Sequence, residues 1–307
     1  MGTRATGPTS ATTGSNAGLG LAALGVLAFS LTAPATKIVV QGSSVLFASA
    51  GRSVLAAIAA ATILLAERAP RPPREVRRHL GWVVAGVGLG FPILNAWGLH
   101  TVPSAHGAVV IALLPLATAG VAALVAGERP SRRYWACSAV GVGAVLAFVV
   151  GQGTGGLQMG DLLLLGAVIA ASFGYAHGAM ASRVIPGRQV ICWAVVLALP
   201  AVVPLAAIGL RGAGAPDTAG QWGAFAYTVL VSNLAGFFVW YAGLARAGIA
   251  RAGQLQLAQP MLSLVWAWPL VGERLTLRAV LASAVVIGAV AVGRTARVAT
   301  AVLPSGG

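Results

Sequence analysis

Apolar residues in this chain come in long unbroken runs, with polar residues gathered between them. Ten runs occur, at about 19–40, 45–66, 80–99, 103–126, 134–150, 159–181, 190–210, 221–243, 249–271 and 277–293. Each approaches the roughly 20 apolar residues that a helix needs to cross a bilayer. Lipid offers the backbone no hydrogen bonds, so each run is predicted to be a helix that satisfies its own amides. The polar strip GQGTGGLQMGD at 151–161 leaves five runs on either side. The expected organisation is a disordered tail over 1–18, five helices over 19–150, an external linker at 151–161, five more over 162–296, and a tail at 297–307.

The second half repeats the first. GERPSRR at 127–133 returns as GERLTLR at 272–278, an offset of 145 residues (273 − 128) that also carries Pro115 onto Pro260 and Gly143 onto Gly288. Between 115–145 and 260–290, 12 of 31 positions are identical. The glutamate match is the informative one, since the chain has only six acidic residues. Five spans is an odd number, so the second copy enters the membrane upside down. The predicted fold is all-α integral membrane, with ten transmembrane helices as two inverted-topology five-helix repeats.

Composition agrees. Charged residues are 8% and mean hydropathy is +0.87, against about 25% charged in soluble domains. A net charge of +14 would suit a polyanion partner, but its placement does not. With the amino terminus inside, fifteen arginines fall in inner segments and only Arg211, Arg274 and Arg278 in outer ones. That is the positive-inside bias, which orients a bundle. It predicts no nucleic-acid partner, a multi-pass protein of the cell membrane and two cytoplasmic termini.

The Pro…Gly-Glu pattern followed by a Gly-rich span stands twice, in LLPLATAGVAALVAGERPSRRYWACSAVGVGAVLAF and AQPMLSLVWAWPLVGERLTLRAVLASAVVIGAVAVG. It resembles the EamA-type repeat of the drug/metabolite transporter superfamily, over about residues 19–295. The resemblance implies a ten-helix secondary transporter, commonly an exporter of metabolites or amino acids. Spans one, three, four, six, eight and nine would surround a central cavity, with five and ten at the periphery. Lys37 and Arg52 fit positions where the family often carries bases.

No catalytic, nucleotide or metal motif accompanies this pattern. The only lysine, Lys37, lies outside any phosphate-binding loop, and His79, His100, His106 and His177 lack ligand spacing. Cys137 and Cys192 form neither a metal motif nor a disulfide framework. No cofactor is expected. None of the carboxylates falls mid-membrane, so no intramembrane proton or sodium relay is visible. His106, at the outer end of span four, could titrate near neutral pH but is expected to be hydrated there.

Polar stripes at helical spacing remain. Ser30, Pro34, Lys37 and Gln41 share one face of span one. Gln256, Gln259 and Ser263 share one face of span nine, where the repeat counterparts Ile111 and Leu114 are apolar. The expected substrate wall is Lys37, Asn95, Tyr175, Asn233, Gln256 and Gln259, with Pro34, Pro115 and Pro260 as hinge or cavity-lining breaks. For Arg52, structural pairing or headgroup contact weighs at least as much as substrate contact. Trp240 and Tyr241 read as an interfacial belt. Glu128, Arg129, Glu273 and Arg274 mark the repeat and read as structural. Gly86, Gly88 and Gly90 in span three, and Gly141 and Gly143 in span five, are expected at close backbone crossings.

These readings converge on a secondary transporter moving a small amino-acid-like or amphipathic solute, by export, through alternating access. Its partners are that solute and the lipid bilayer, and a homodimer is compatible with the fold. A passive facilitator or channel is the alternative. A polytopic enzyme acting on lipid-linked substrates would need convergent carboxylates or histidines, which the sequence does not present.

Overall fold

The computed structural model describes residues 10–125, 132–151, 158–212, 214–247 and 255–294. All regular elements among the described residues are helices, with no strand. In chain order they form α1 (Ser10–Ser30), α2 (Thr32–Gly42), α3 (Phe47–Ala66), α4 (Arg74–Thr101), α5 (Ser104–Ile111), α6 (Leu114–Val125) and α7 (Arg132–Val150). Then follow α8 (Met159–Ala181), α9 (Gly187–Leu197), α10 (Leu199–Arg211), α11 (Ala219–Leu244), a 3₁₀ turn (Leu255–Ala258), α12 (Gln259–Val271) and α13 (Leu277–Arg294).

Six segments are long and apolar enough to cross a membrane: Asn16–Gly42, α3, α4, Ser104–Val125, α8 and α11. The pair α9 and α10 would be a seventh span, bent by 57° where Pro200 follows the break at Ala198. Trp135–Phe148 and Leu277–Ala289 are shorter apolar helices. Two boundaries differ from expectation. Helix α1 begins at Ser10, inside the stretch read as a tail, running N-terminally from the apolar segment that starts near residue 19. Asp161 belongs to the first turn of α8 rather than to the linker, where its carboxylate accepts from the Gln158 amide at 2.9 Å. Glu128 and Arg129, and the tail at 297–307, lie outside the described residues.

Large apolar side chains such as Ile58, Ile169, Ile208 and Leu281 are more than half exposed on the outside of the bundle, as lipid-facing positions should be. Inside, small residues set the spacing. A Cβ on Gly243 of α11 would sit 2.6 Å from the Ala22 amide of α1, and one on Gly86 of α4 would sit 2.8 Å from the Gly174 amide of α8. Apolar burial gives little drive in lipid, so such crossings gain their stability from close contact. Gly90 is similarly tight, but Gly141 would meet only ordinary contacts and Gly143 open space. The close-packing expectation therefore holds for Gly86 and Gly90 but not for Gly88, which would meet only ordinary contacts, nor for span five. Helices α7 and α13 pack against each other at the side of the bundle.

Candidate functional site

Three helix breaks prepare the interior. Proline has no N–H, so each one frees the carbonyl four residues earlier. Pro34 lies in the first turn of α2 and frees the Ser30 carbonyl, which accepts from the Ser263 hydroxyl at 2.6 Å. The Ser30 hydroxyl in turn accepts from Trp266 Nε1 at 3.1 Å. Beside this joint Thr32 and Ser232 share a hydrogen bond of 2.8 Å, tying α2 to α11. Pro115 and Pro260 stand at the second residue of α6 and α12, and their missing donors free the carbonyls of Ile111 and Gln256.

Between these breaks lies a cavity. Its wall takes Phe29 from α1, Thr32 and Ala33 from α2, Val87 and Phe91 from α4, and Ala108, Ile111, Leu114 and Pro115 from α5 and α6. The far side takes Ala171 and Tyr175 from α8, Ser232, Asn233 and Phe237 from α11, and Gln256, Gln259, Pro260 and Ser263 around the start of α12. One further residue enters from α3: Arg52. Measured to the centres of water molecules the cavity volume is about 30 Å³, room for about two waters.

Wider, π-type turns flank the cavity at Phe47–Gly51, Val84–Gly90 and Thr228–Ala235. Such turns open a helix locally and recur at functional sites. Here they immediately precede Arg52 and contain Val87, Ser232 and Asn233.

Arg52 is 3% exposed, and it makes no hydrogen bond or ion pair with the described residues; its Nε is among the buried atoms without a partner. Asn233 Nδ2, Gln256 Nε2 and Gln259 Oε1 are likewise buried and unpartnered. A buried cation at membrane depth costs about 2.5–3.5 kcal/mol on insertion scales, and orphaned amides add to that. Polar groups left this way, and facing one cavity, are prepared for a guest.

Of the expected wall residues, Tyr175, Asn233, Gln256 and Gln259 line the cavity, as do Pro115 and Pro260. Lys37 does not: its amine donates to the carbonyls of Leu99 (2.8 Å) and Val102 (2.9 Å), capping the end of α4. Asn95 is fully buried outside the wall, with both amide atoms unpartnered. Pro34 is buried beneath the Ser30–Ser263 joint rather than in the wall. Trp240 and Tyr241 are 2% and 1% exposed and pack on Phe29 and Phe237, so they form core and not a belt.

The end of the bundle carrying Lys37 is tied shut. Opposite Lys37, the Glu273 carboxylate accepts from the Ser104 amide (2.7 Å), the Ser104 hydroxyl (3.0 Å) and the Ala105 amide (2.7 Å). A cation thus sits at the carbonyl end of α4 and an anion at the amide end of α5, each matched to its helix dipole. Glu273 therefore pairs across space with α5 rather than with its neighbour Arg274. His106, expected to be hydrated, is 8% exposed and meets the buried Asp161 at 2.6 Å. At the other end, His79 and His177 share a hydrogen bond of 2.8 Å, and Glu67 pairs with Arg188 at 2.9 Å.

A bundle of apolar helices, most of them long enough to cross a bilayer, around a small and largely apolar cavity with a few buried polar groups is the architecture of a multi-pass membrane protein. The EamA-like transporter family matches residues 16–150 and again 158–293, and the chain belongs to that family. It is 40% identical over 276 residues to the uncharacterized transporter YdeK of Bacillus subtilis (strain 168), covering 88% of this chain and 94% of that one. It is 26% identical over 255 residues to a probable terminal-alkyne amino-acid exporter of Streptantibioticus cattleyicolor, covering 81% and 84%. One solved structure superposes with a TM-score of 0.62 at 19% identity, over 92% of this chain and 96% of the other, which shows the fold alone.

Proposed function

We propose that this protein is a secondary transporter that exports a small amino-acid-like metabolite across the cell membrane by alternating access. In this reading ten spans form two inverted five-helix repeats, and both termini are cytoplasmic. The observation that carries it is the small cavity, largely apolar but set with unpartnered polar groups, between breaks at Pro115 and Pro260 that share one repeat position. The π-type turn of α4, moved by 145 residues, falls on 229–235, within that of α11. Irregular backbone at membrane depth is tolerated where it lines a cavity or packs in protein, and paired breaks at a repeat interface are where such carriers bind solute.

The clamps at Lys37 and Glu273 support an alternating cycle. They close the end that the charge bias assigns to the outside, and the cavity is too small to hold an amino acid. A solute then enters only when the halves part at the opposite end. The exporter named for its amino-acid cargo, a relative over most of this chain, supports the direction and the solute class. Efflux of labelled amino acids from cells producing this protein, with and without Gln259→Ala, tests the reading. Lower efflux of at least one amino acid in the variant is expected; unchanged efflux of every solute would overturn the site.

A further inference from the structure

We infer that the cavity is an anion-receiving site in which Arg52 takes the carboxylate of a solute whose remaining body is apolar, a neutral apolar amino acid. This rests on the reading of the cavity as the transport site and adds what that site selects. Arg52 is a buried cation facing a cavity, with no carboxylate partner among the described residues. A guanidinium presents its N–H donors in a planar fork that matches a carboxylate. Two more unpartnered donors, Asn233 Nδ2 and Gln256 Nε2, come to the same wall from other elements. Donors from α3, α11 and the 3₁₀ turn before α12 thus line one cavity without an acceptor among the described residues.

The charge decides between anions. Among the described residues no other lysine, arginine or histidine lines the cavity, so one carboxylate balances Arg52. A phosphate monoester, carrying about two negative charges, would leave an excess anion with no second cation beside it, whereas a zwitterion leaves only its ammonium, which neutral oxygen acceptors can take. The acceptors suit an ammonium group: Gln259 Oε1 lacks a partner, and the Pro115 and Pro260 breaks free the carbonyls of Ile111 and Gln256 in the same wall. Phe29, Phe91 and Phe237 leave an apolar surface for the side chain.

The test is binding by the purified full chain in detergent, followed by intrinsic tryptophan fluorescence. The probes are L-leucine, 4-methylpentanoate (no ammonium), L-leucine methyl ester and isopentylamine (neither with a carboxylate). The wild type is expected to bind the first two, with the ester and the amine at least tenfold weaker. Arg52→Gln should weaken L-leucine at least tenfold, and Arg52→Lys less, since it keeps the charge without the fork. Equal binding of leucine and its ester, undiminished leucine binding by Arg52→Gln, or no binding of either carboxylate to the wild type would overturn the inference. Should Arg52→Gln fail to fold, the comparison of acid with ester on the wild type decides. Exchange of labelled L-leucine in proteoliposomes separates the two readings. Flux without preference for the free carboxylate sinks the anion site alone, while carboxylate-selective binding without flux sinks the transport reading alone.

Discussion

Glu273→Ala removes the acceptor that holds the start of α5. Three donors converge on this carboxylate, at 2.7, 3.0 and 2.7 Å. Hydrogen bonds to a charged group contribute about 1.5–3 kcal/mol each, and loss of a helix cap costs about 0.5–2 kcal/mol. The bonds are not additive, because the Ser104 hydroxyl and the amides can turn to water once the joint parts. Allowing for that, the closed end loses about 3 kcal/mol, or about 150-fold in the equilibrium between closed and open. Glu273→Gln keeps one acceptor but turns an NH₂ toward the amides, and should lose about half of that, near tenfold. The assay is the rate at which a membrane-impermeant maleimide, added from the Glu273 side, labels Ile111→Cys in the cavity wall. Cys137 and Cys192 are changed to serine beforehand. Glu67→Gln, at the other end of the bundle, serves as control and should not raise labelling from this side. Equal rates in wild type and Glu273→Ala, or an equal rise in the Glu67→Gln control, would refute the clamp.

Other expectations follow from the same geometry. Lys37→Met gives up two bonds to the carbonyls of Leu99 and Val102 and should raise labelling of the same cysteine by about tenfold, at about 1.5 kcal/mol of clamp; unchanged labelling would show that Lys37 does not hold this end closed. Gly174→Val forces a side chain into the α4 crossing, where even a Cβ would meet the Val87 amide at 3.0 Å. Overpacking of this kind costs about 1–3 kcal/mol, so thermal unfolding in detergent should occur several degrees lower, while Gly143→Ala, mid-helix and facing open space, should not lower it and gains helix propensity. Ser263→Ala strands the Ser30 carbonyl freed by Pro34 and should lower stability by about 1 kcal/mol, read by the same unfolding measurement; no change would mean that the joint is not holding α1 and α2 to α12.

The helices were legible because lipid imposes a length and a composition that few sequences meet by chance. Each expected run contains or overlaps a described helix, and the proline breaks stand where proline chemistry puts them. Gln256 and Gln259 were legible as a wall because both bracket a break and their repeat counterparts are apolar. The stripe through Ser30, Pro34 and Lys37 misled for a structural reason. The helix breaks at Leu31, so residues beyond it no longer continue the face before it, and Lys37 turns to the end of α4. Arg52 carried an ambiguous signal: a base two turns into a span reads as structural pairing or headgroup contact at least as readily as solute contact until its neighbours are known. The partners of Glu273 and His106 lie 169 and 55 residues away, and no local pattern announces pairings at such distance. Glu128 and Arg129, the first copy of the repeat motif, lie outside the described residues, so that half of the symmetry has no counterpart to the Glu273 clamp on view.

The central claim is that a carrier works by alternating access around the cavity of Arg52, Asn233, Gln256 and Gln259. Counterflow tests it most directly: proteoliposomes loaded with unlabelled L-leucine are diluted into a trace of labelled L-leucine, and internal label is followed in time. The account predicts a transient accumulation above equilibrium that is driven by the unlabelled solute inside and lost in Gln259→Ala. Label that enters at the same rate whether or not leucine is present inside would contradict it, and would describe a passive pore.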